Sequence, residues 1–431
     1  MLAFMLYYIY NNHEIIYFLG EKVNSVNWRH NMVTADQLLV KQINKSIVLN
    51  TIRKKEVISR AGIAEFTGLN KSTVSFLVDE LIKEGLVKEI GPGESKGGRK
   101  PIMLTINDKG GCVIGVDLGV NYILTVLTDL VGNELWEKKV DIKLGEDKEK
   151  VIDLLMQSIE EAIENAPRTV KGITGIGIGV PGIVDYRKGT VLMAPNLKWK
   201  DVPLKEMVEE KFKIKVHIDN EANVGAVGEK WFGVGIECSN FVYVSAGIGI
   251  GTGIIINGEL YRGASGLAGE IGHATINIYD ELCNCGNTGC WENYASERAL
   301  LDYMQAQLKQ GKQDKYINSQ NISDLNALRI IDFAHKGSSI AIEGLREIGK
   351  NLGVGIINLI NTFNPEMVII GNTLSLAEDI ILPEILDEVS KKCFVYKYHK
   401  VKIRTSKLKF HAGAMGAVSL VISKLFAHPE F

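Results

Sequence analysis

The sequence predicts a multidomain protein: a small, mostly α winged helix-turn-helix module in front, then a larger α/β body of two lobes. Three observations carry that expectation. The chain has 431 residues, more than one ordinary core holds, so two or three domains are expected. Its charge is split: residues 34–105 hold 12 Lys/Arg against 8 Asp/Glu, whereas 106–431 hold 35 against 41. A basic front and an acidic back suit a nucleic-acid module joined to a small-molecule module. Finally, the apolar pattern changes at Gly110, from helical spacing to short apolar runs punctuated by glycine. These features divide the chain into an N-terminal extension (1–33), the winged module (34–108) and the body (109–431), which holds a cysteine-rich loop at 273–290.

Bulk composition, 46% apolar and 23% charged, is that of a soluble globular protein and excludes a disordered or fibrous chain. Of the six cysteines (Cys112, Cys238, Cys283, Cys285, Cys290 and Cys393), three crowd into eight positions. That clustering suits metal binding in a reducing compartment better than a disulfide framework. The opening run MLAFMLYYIYNNHEIIYFLG is broken at Asn11-Asn12-His13-Glu14 and has no basic residue before it. It is too short to span a bilayer and makes a poor signal peptide. An extra segment upstream of a start near Met32 is the simpler reading. The protein is therefore expected to be cytoplasmic, with no membrane partner.

In the front module a first helix is predicted over Ala35–Lys54, with Leu39, Val40, Ile43, Ile47, Val48 and Ile52 at helical spacing. Arg60–Thr67 reads as a short second helix closed by Gly68. Asn70 is the expected N-cap of a third helix reaching about Glu84, whose buried face is Leu69, Val74, Leu77, Val78, Leu81 and Ile82. Its first turn, Lys71, Ser72 and Thr73 with Ser75, is small, polar or basic, as a helix end entering a major groove requires. Strands at 86–90 and Ile102–Ile106 flank the turn GPGESKGGRKP. Its glycines allow close approach to a sugar-phosphate backbone, and Lys96, Arg99 and Lys100 would supply contacts there. Asn70, Lys71, Ser72, Thr73, Ser75, Lys96, Arg99 and Lys100 are thus the candidate DNA-binding residues. A three-helix packing module with a solvated basic loop is the alternative.

The body opens with GCVIGVDLGVNYILTVLTDLVGNEL, a strand, a turn, a second strand and a hairpin into a third. Further glycine-punctuated strands lie at 173–185 and 240–258, with amphipathic helices near 147–165, 202–212 and 340–363. Such alternation argues α/β with largely buried sheets. Strands near 112–117 and 241–246 both run into glycine-rich turns, which suggests two related halves. Those turns can cradle phosphate, though glycines alone say little.

One cluster is more specific. His273, Cys283, Cys285 and Cys290 are spaced H-x9-C-x-C-x4-C within GEIGHATINIYDELCNCGNTGCWE. Three thiols and an imidazole form a ligand set for tetrahedral structural zinc. Glu270 and Glu292 bracket it, so a metal would pin the loop and aim both acids.

From about Thr34 onward the chain resembles the ROK family (repressors, open reading frames and sugar kinases), in its xylose-repressor-like branch. The resemblance rests on the front helices with GGRKP, then GVDLG, GVPGIVD, APNLKW, DNEAN, GIGIGTGIIINGELYRGASGLAGEIGH and CNCGNTGCWE. It implies that the body is an actin-like (ribonuclease H-like) sugar-kinase fold. It also implies a sugar pocket made by Asn196, Asn220, Glu221, Glu270, His273 and Glu292, with zinc on His273, Cys283, Cys285 and Cys290. Carboxylates and amides suit sugar hydroxyls, which both donate and accept. His273 can bind metal through one ring nitrogen and donate to a sugar from the other. For Glu270 and Glu292 the rival role is a solvated surface acid, and for Asn196 and Asn220 a turn or cap.

Four departures from the kinases of that family weigh against catalysis. Where they resemble DxGGT, this chain has Asp117-Leu118-Gly119-Val120-Asn121-Tyr122; where they carry G-T-G, it has Gly247-Ile248-Gly249. The catalytic aspartate of their E-N-D-A-N motif corresponds to Glu221, whose extra methylene displaces the carboxylate. Misplacement on the ångström scale can cost about a hundredfold in rate. Gly371-Asn372 likewise stands where paired glycines are usual. The expected function is a sugar-responsive repressor, a dimer or tetramer on a palindromic operator, released by xylose, with glucose a second candidate effector. The alternatives are an active ATP-dependent sugar kinase with an accessory DNA-binding module and a regulator that answers to a protein partner.

Overall fold

The computed structural model describes residues 37–94, 100–143, 145–279, 282–318 and 324–427. The front module is α1 (Gln37–Lys55), β1 (Ile58–Ser59), α2 (Arg60–Thr67), α3 (Lys71–Lys83), β2 (Val87–Pro92) and β3 (Ile102–Ile106). The strands pair in the order β1-β3-β2. Local chemistry sets each boundary. Ser59 caps α2 by accepting from the Gly62 N–H, Gly68 ends it at φ +74°, and Asn70 caps α3 by accepting from the Thr73 N–H. The helices bury Val48, Leu49, Ile52, Ile63, Val74, Leu77, Val78 and Leu81 against Leu86, Leu104 and Ile106. The expected apolar stripe of the first helix is only half right: Val40, Ile43 and Ile47 are 41–45% exposed. Helical period identifies an apolar face, but the length of the neighbouring elements decides how much of it is covered. The first wing strand starts at Val87 rather than Leu86, and it continues to Pro92.

The first lobe comprises β4 (Cys112–Leu118), β5 (Tyr122–Asp129), β6 (Glu134–Asp141), α4 (Lys148–Glu164), β7 (Ile173–Val180), β8 (Ile183–Asp185), β9 (Thr190–Ala194), β10 (Trp199–Val202), α5 (Leu204–Phe212) and β11 (Val216–Asn220). Helix α6 (Glu221–Phe232) leads to the second lobe: β12 (Phe241–Ala246), β13 (Ile250–Ile256), β14 (Glu259–Leu260), α7 (Glu292–Ala295), α8 (Glu297–Lys309), α9 (Ala327–His335), α10 (Ser339–Phe363), β15 (Met367–Gly371), α11 (Glu378–Lys392), β16 (Lys402–Thr405) and α12 (Ala412–Ala427).

The two main sheets share one plan. Their orders are β11-β7-β4-β5-β6 and β14-β13-β12-β15-β16. In each, three antiparallel strands in a meander are followed by two strands parallel to the first. The fully buried strands β4 and β12 read as continuous apolar runs because both faces of each sheet are covered.

Two helices cross where the lobes meet. Helix α12 lies on the first sheet, so close that a Cβ on Gly177 would be 1.9 Å from the Ala417 carbonyl oxygen. Helix α6 lies on the second, where a Cβ on Gly253 would be 2.4 Å from the Ala222 oxygen. The two helices touch each other backbone to backbone: a Cβ on Gly416 would meet the Val224 oxygen at 1.8 Å. The helical segment Lys409–Ala427 that ends in α12 is long and apolar enough to cross a membrane by composition, but most of it is buried within the protein. The front module shares a continuous core with this region, in which Val48, Leu49, Ile52 and Leu86 pack with Val113, Val126, Val418, Ile422 and Leu425.

Candidate functional site

The cleft between the lobes starts at the end of β4. Asp117 is buried there, and the Tyr122 hydroxyl donates to its Oδ2 across 2.7 Å. Burial raises the Asp117 pKa to about 6, against the lowering effect of that hydrogen bond. Its Oδ1 has no hydrogen-bond partner among the described residues. The Tyr122 ring closes over the turn so tightly that a Cβ on Gly119 would lie 2.5 Å from its Cε1. Glu221, Tyr243, Ser245, Asn372, Lys409 and Phe410 complete this end of the cleft. Asn372 donates to Ser245 Oγ at 3.1 Å and accepts from the Thr373 N–H at 2.8 Å, so its side chain fills space beside Gly247.

The β11–α6 junction supplies the next group. Asn220 caps α6: its Oδ1 accepts from the N–H groups of Ala222 and Asn223, and its Nδ2 donates to the Gly182 oxygen at 2.8 Å. Glu221 follows at the first helical position. Its carboxyl pKa is pushed up to about 8, first by burial and then by the neighbouring Asp117, Glu270 and Glu297. Asp219, buried just before them, pairs with Arg262 of the second lobe at 2.5 Å. That guanidinium also lies 3.8 Å from the centre of the Tyr186 ring in the β8–β9 connection. One arginine thus ties the lobes together.

Residues 270–279 and 282–292 form the opposite wall. Glu270 and His273 lie on one 3-10 turn, and Glu292 opens α7. Glu270 lies at the open face of the cleft, yet enough protein surrounds its carboxyl to raise its pKa. The Glu292 carboxylate reaches over Gly249, where a Cβ would be 2.8 Å from its Oε2, and its Oε1 is 3.4 Å from His273 Nδ1. Trp291, fully buried and donating to the Asn351 oxygen at 2.8 Å, anchors the segment. The ligand atoms of His273, Cys283, Cys285 and Cys290 all lie within 4.8 Å of one another. A tetrahedral ion about 2.0–2.3 Å from N and S donors sets them roughly 3.3–3.8 Å apart, and Cys285 Sγ lies 3.6 Å from Cys290 Sγ and Cys283 Sγ 3.9 Å from His273 Nδ1. The donor set and spacing can hold a metal.

The structure therefore gathers Glu221, Glu270, His273 and Glu292 at one cleft. Asn220 lies at the same cleft but spends its side chain on the helix cap, and Asn196 is exposed on a separate 3-10 turn at Pro195–Leu197. Sequence reasoning passed over Tyr122 as a ligand of Asp117, and over Arg262, Tyr186 and Glu297. Arg262 stood inside a quoted motif, but nothing local says that it crosses to the other lobe. In the front module, Asn70, Lys71, Ser72 and Lys100 are exposed, and Thr73 and Ser75 are half-buried. Ser72 donates to Asn70 Oδ1 at 2.8 Å, which holds the start of α3 rigid. Lys96 and Arg99 lie outside the described residues.

The ROK family matches residues 113–424, and the winged helix-turn-helix DNA-binding family matches residues 44–88. A xylose repressor of Caldicellulosiruptor bescii is 50% identical over 91% of this chain and 98% of its own. A solved ROK family transcriptional regulator, a homolog of the E. coli MLC protein, superposes with a TM-score of 0.76 at 28% identity, covering 90% of this chain and 97% of its own. A ROK family glucokinase from Streptomyces griseus, in complex with glucose and AMPPNP, superposes at 0.65 with 30% identity, covering 72% of this chain and 99% of its own.

Proposed function

The chain belongs to the ROK family, and on that basis we propose that it is a sugar-responsive, DNA-binding repressor of xylose-utilisation genes. It would occupy its operator when free and leave it when a sugar binds between the lobes. One juxtaposition carries this reading. On the second-lobe wall Glu270 and Glu292 stand ready for hydroxyls, while across the cleft Tyr122 fills the loop that corresponds to the phosphate loop of the kinases. A site with its sugar side open and its phosphate side closed binds without transferring.

The other assignments follow from it. Residues 34–108 are the operator-binding module, with the first turn of α3 in the major groove. Residues 109–431 are the sensor, and 1–33 are an extension outside the described residues. Asn196, Asn220, Glu221, Glu270, His273 and Glu292 form the sugar site. His273, Cys283, Cys285 and Cys290 hold a structural zinc, which supplies folding free energy to the loop. The protein is a cytoplasmic dimer or tetramer that reads a palindrome. Non-catalysis is supported by Glu221 at the kinase aspartate position and by Ile248 in place of a hydroxyl residue.

Isothermal titration with D-xylose and D-glucose, in wild type and Glu292→Gln, tests the proposal alongside operator release. Xylose heat that weakens at least tenfold in the variant, with zinc retained, is the expected result. No heat with either sugar from folded protein would overturn the effector assignment. ATP turnover lost in Glu221→Ala would establish the kinase alternative instead.

A further inference from the structure

Helix α6 begins at the sugar site and ends beneath the front module. Its cap is Asn220, its first residue is Glu221, and its last turn carries Trp231 and Phe232. At about 1.5 Å per residue its 12 residues span about 18 Å. At the far end, the Arg53 guanidinium of α1 lies 3.9 Å from the centre of the Trp231 ring. Arg53 Nε is buried with no hydrogen-bond partner among the described residues, and the Trp231 ring lies against the same guanidinium. Trp231 in turn meets Phe426 of α12 edge-on, with ring centroids 6.1 Å apart. The adjacent Phe232 closes over the β5–β6 turn at Gly132.

The front module therefore straddles the hinge. Its core is continuous with α12, which lies on the first-lobe sheet, through Val48, Leu49 and Ile52. Helix α6, by contrast, packs chiefly on the second-lobe sheet, although its two ends touch the first lobe at Gly182 and Gly132. Ala222 and Ala226 pack on Gly253, and the buried Glu229 accepts from the Val234 N–H at 2.9 Å and from Ser406 Oγ. Any rotation of one lobe on the other slides α6 across α12 at the Val224–Gly416 crossing. Among the described residues, Arg53 on Trp231 is a contact that would register this slide on the DNA-binding side. The geometry points to these two residues as the coupling contact by which sugar-induced lobe closure reaches the operator-binding module.

This inference rests on the sugar-responsive reading, and it adds where the response is transmitted. Arg53 and Trp231 are positioning residues, remote from the candidate sugar ligands and from the first turn of α3. Coupling is a ratio that each ligand must report equally: xylose weakens operator binding by the factor by which operator weakens xylose binding. Loss of the contact should change that ratio while leaving the two separate affinities nearly intact.

The test uses the full-length, zinc-loaded protein as wild type, Arg53→Met, Trp231→Leu and Trp231→Phe. Operator affinity is measured by fluorescence anisotropy with and without saturating D-xylose, and xylose affinity of free protein by calorimetry. In Arg53→Met and Trp231→Leu, each separate affinity should stay within about threefold, while the xylose-induced loss of operator affinity falls to less than a tenth of its wild-type factor. Trp231→Phe keeps an aromatic face for the cation and should retain most of the response. A full wild-type response in both Arg53→Met and Trp231→Leu overturns the coupling role while the repressor reading stands. A wild-type protein that binds operator but ignores both xylose and glucose overturns that reading, and this inference with it.

Discussion

The Tyr122 hydroxyl donates to the Asp117 carboxylate across 2.7 Å, and its ring covers the turn at Gly119. The contact joins two residues five positions apart on adjacent strands. It also leaves one buried carboxylate oxygen of Asp117 without a partner among the described residues.

Tyr122→Phe keeps the ring and removes the donor. With both Asp117 oxygens then unpaired, the protein should lose about 1–3 kcal/mol of stability at pH 7. The loss should shrink toward pH 5, because the Asp117 pKa of about 6 makes the buried carboxyl largely neutral there. Thermal melts at the two pH values measure this. An equal loss at both would remove Asp117 as the cause.

Glu221 gives a pH prediction of its own. Its pKa rises from an ordinary 4.5 to about 8, so native protein holds a proton that the unfolded chain releases. The resulting stability is fully present below the unfolded value and is lost as pH rises through that window. Glu221→Gln removes the titration. Its stability relative to wild type should therefore climb between pH 5 and pH 8, by on the order of 3 kcal/mol, or several degrees in Tm. Parallel stability curves for variant and wild type would show that Glu221 ionises freely in the fold.

The two asparagines proposed for the sugar site should separate cleanly. Asn220→Ala removes a helix cap and should cost about 1–2 kcal/mol in addition to any loss of sugar affinity. Asn196→Ala, on an exposed turn, should stay within about 0.5 kcal/mol of wild type and act on sugar affinity alone. Urea unfolding paired with calorimetry distinguishes them. A destabilised Asn196→Ala would assign that residue to the turn.

Cys285→Ser tests the metal. It removes the one exposed cysteine of the four-ligand cluster, so a change at the surface alone should be harmless. Loss of zinc stoichiometry by elemental analysis and a lowered Tm are expected, because metal binding contributes to folding free energy. Stoichiometric zinc with an unaltered melting curve would sink the assignment.

The sequence by itself determined the elements and the chemistry available to them. Helical spacing, the Ser59 and Asn70 caps and Gly68 define α2 and α3 because those signals act within a few residues, where no partner is required. The candidate metal-ligand set is equally local, since its four members lie within 18 positions and three thiols with an imidazole suit a tetrahedral ion. Tertiary structure decided what cannot be read along the chain. Arg262 reaches Asp219 from the other lobe across 43 positions, and Arg53 reaches Trp231 across a domain boundary. The same folding leaves Val40, Ile43 and Ile47 exposed on a helix whose pattern would bury them. Spacing fixes which residues share a face; the meeting of separate elements decides what each face touches, and with it which charges are buried, paired or free to act.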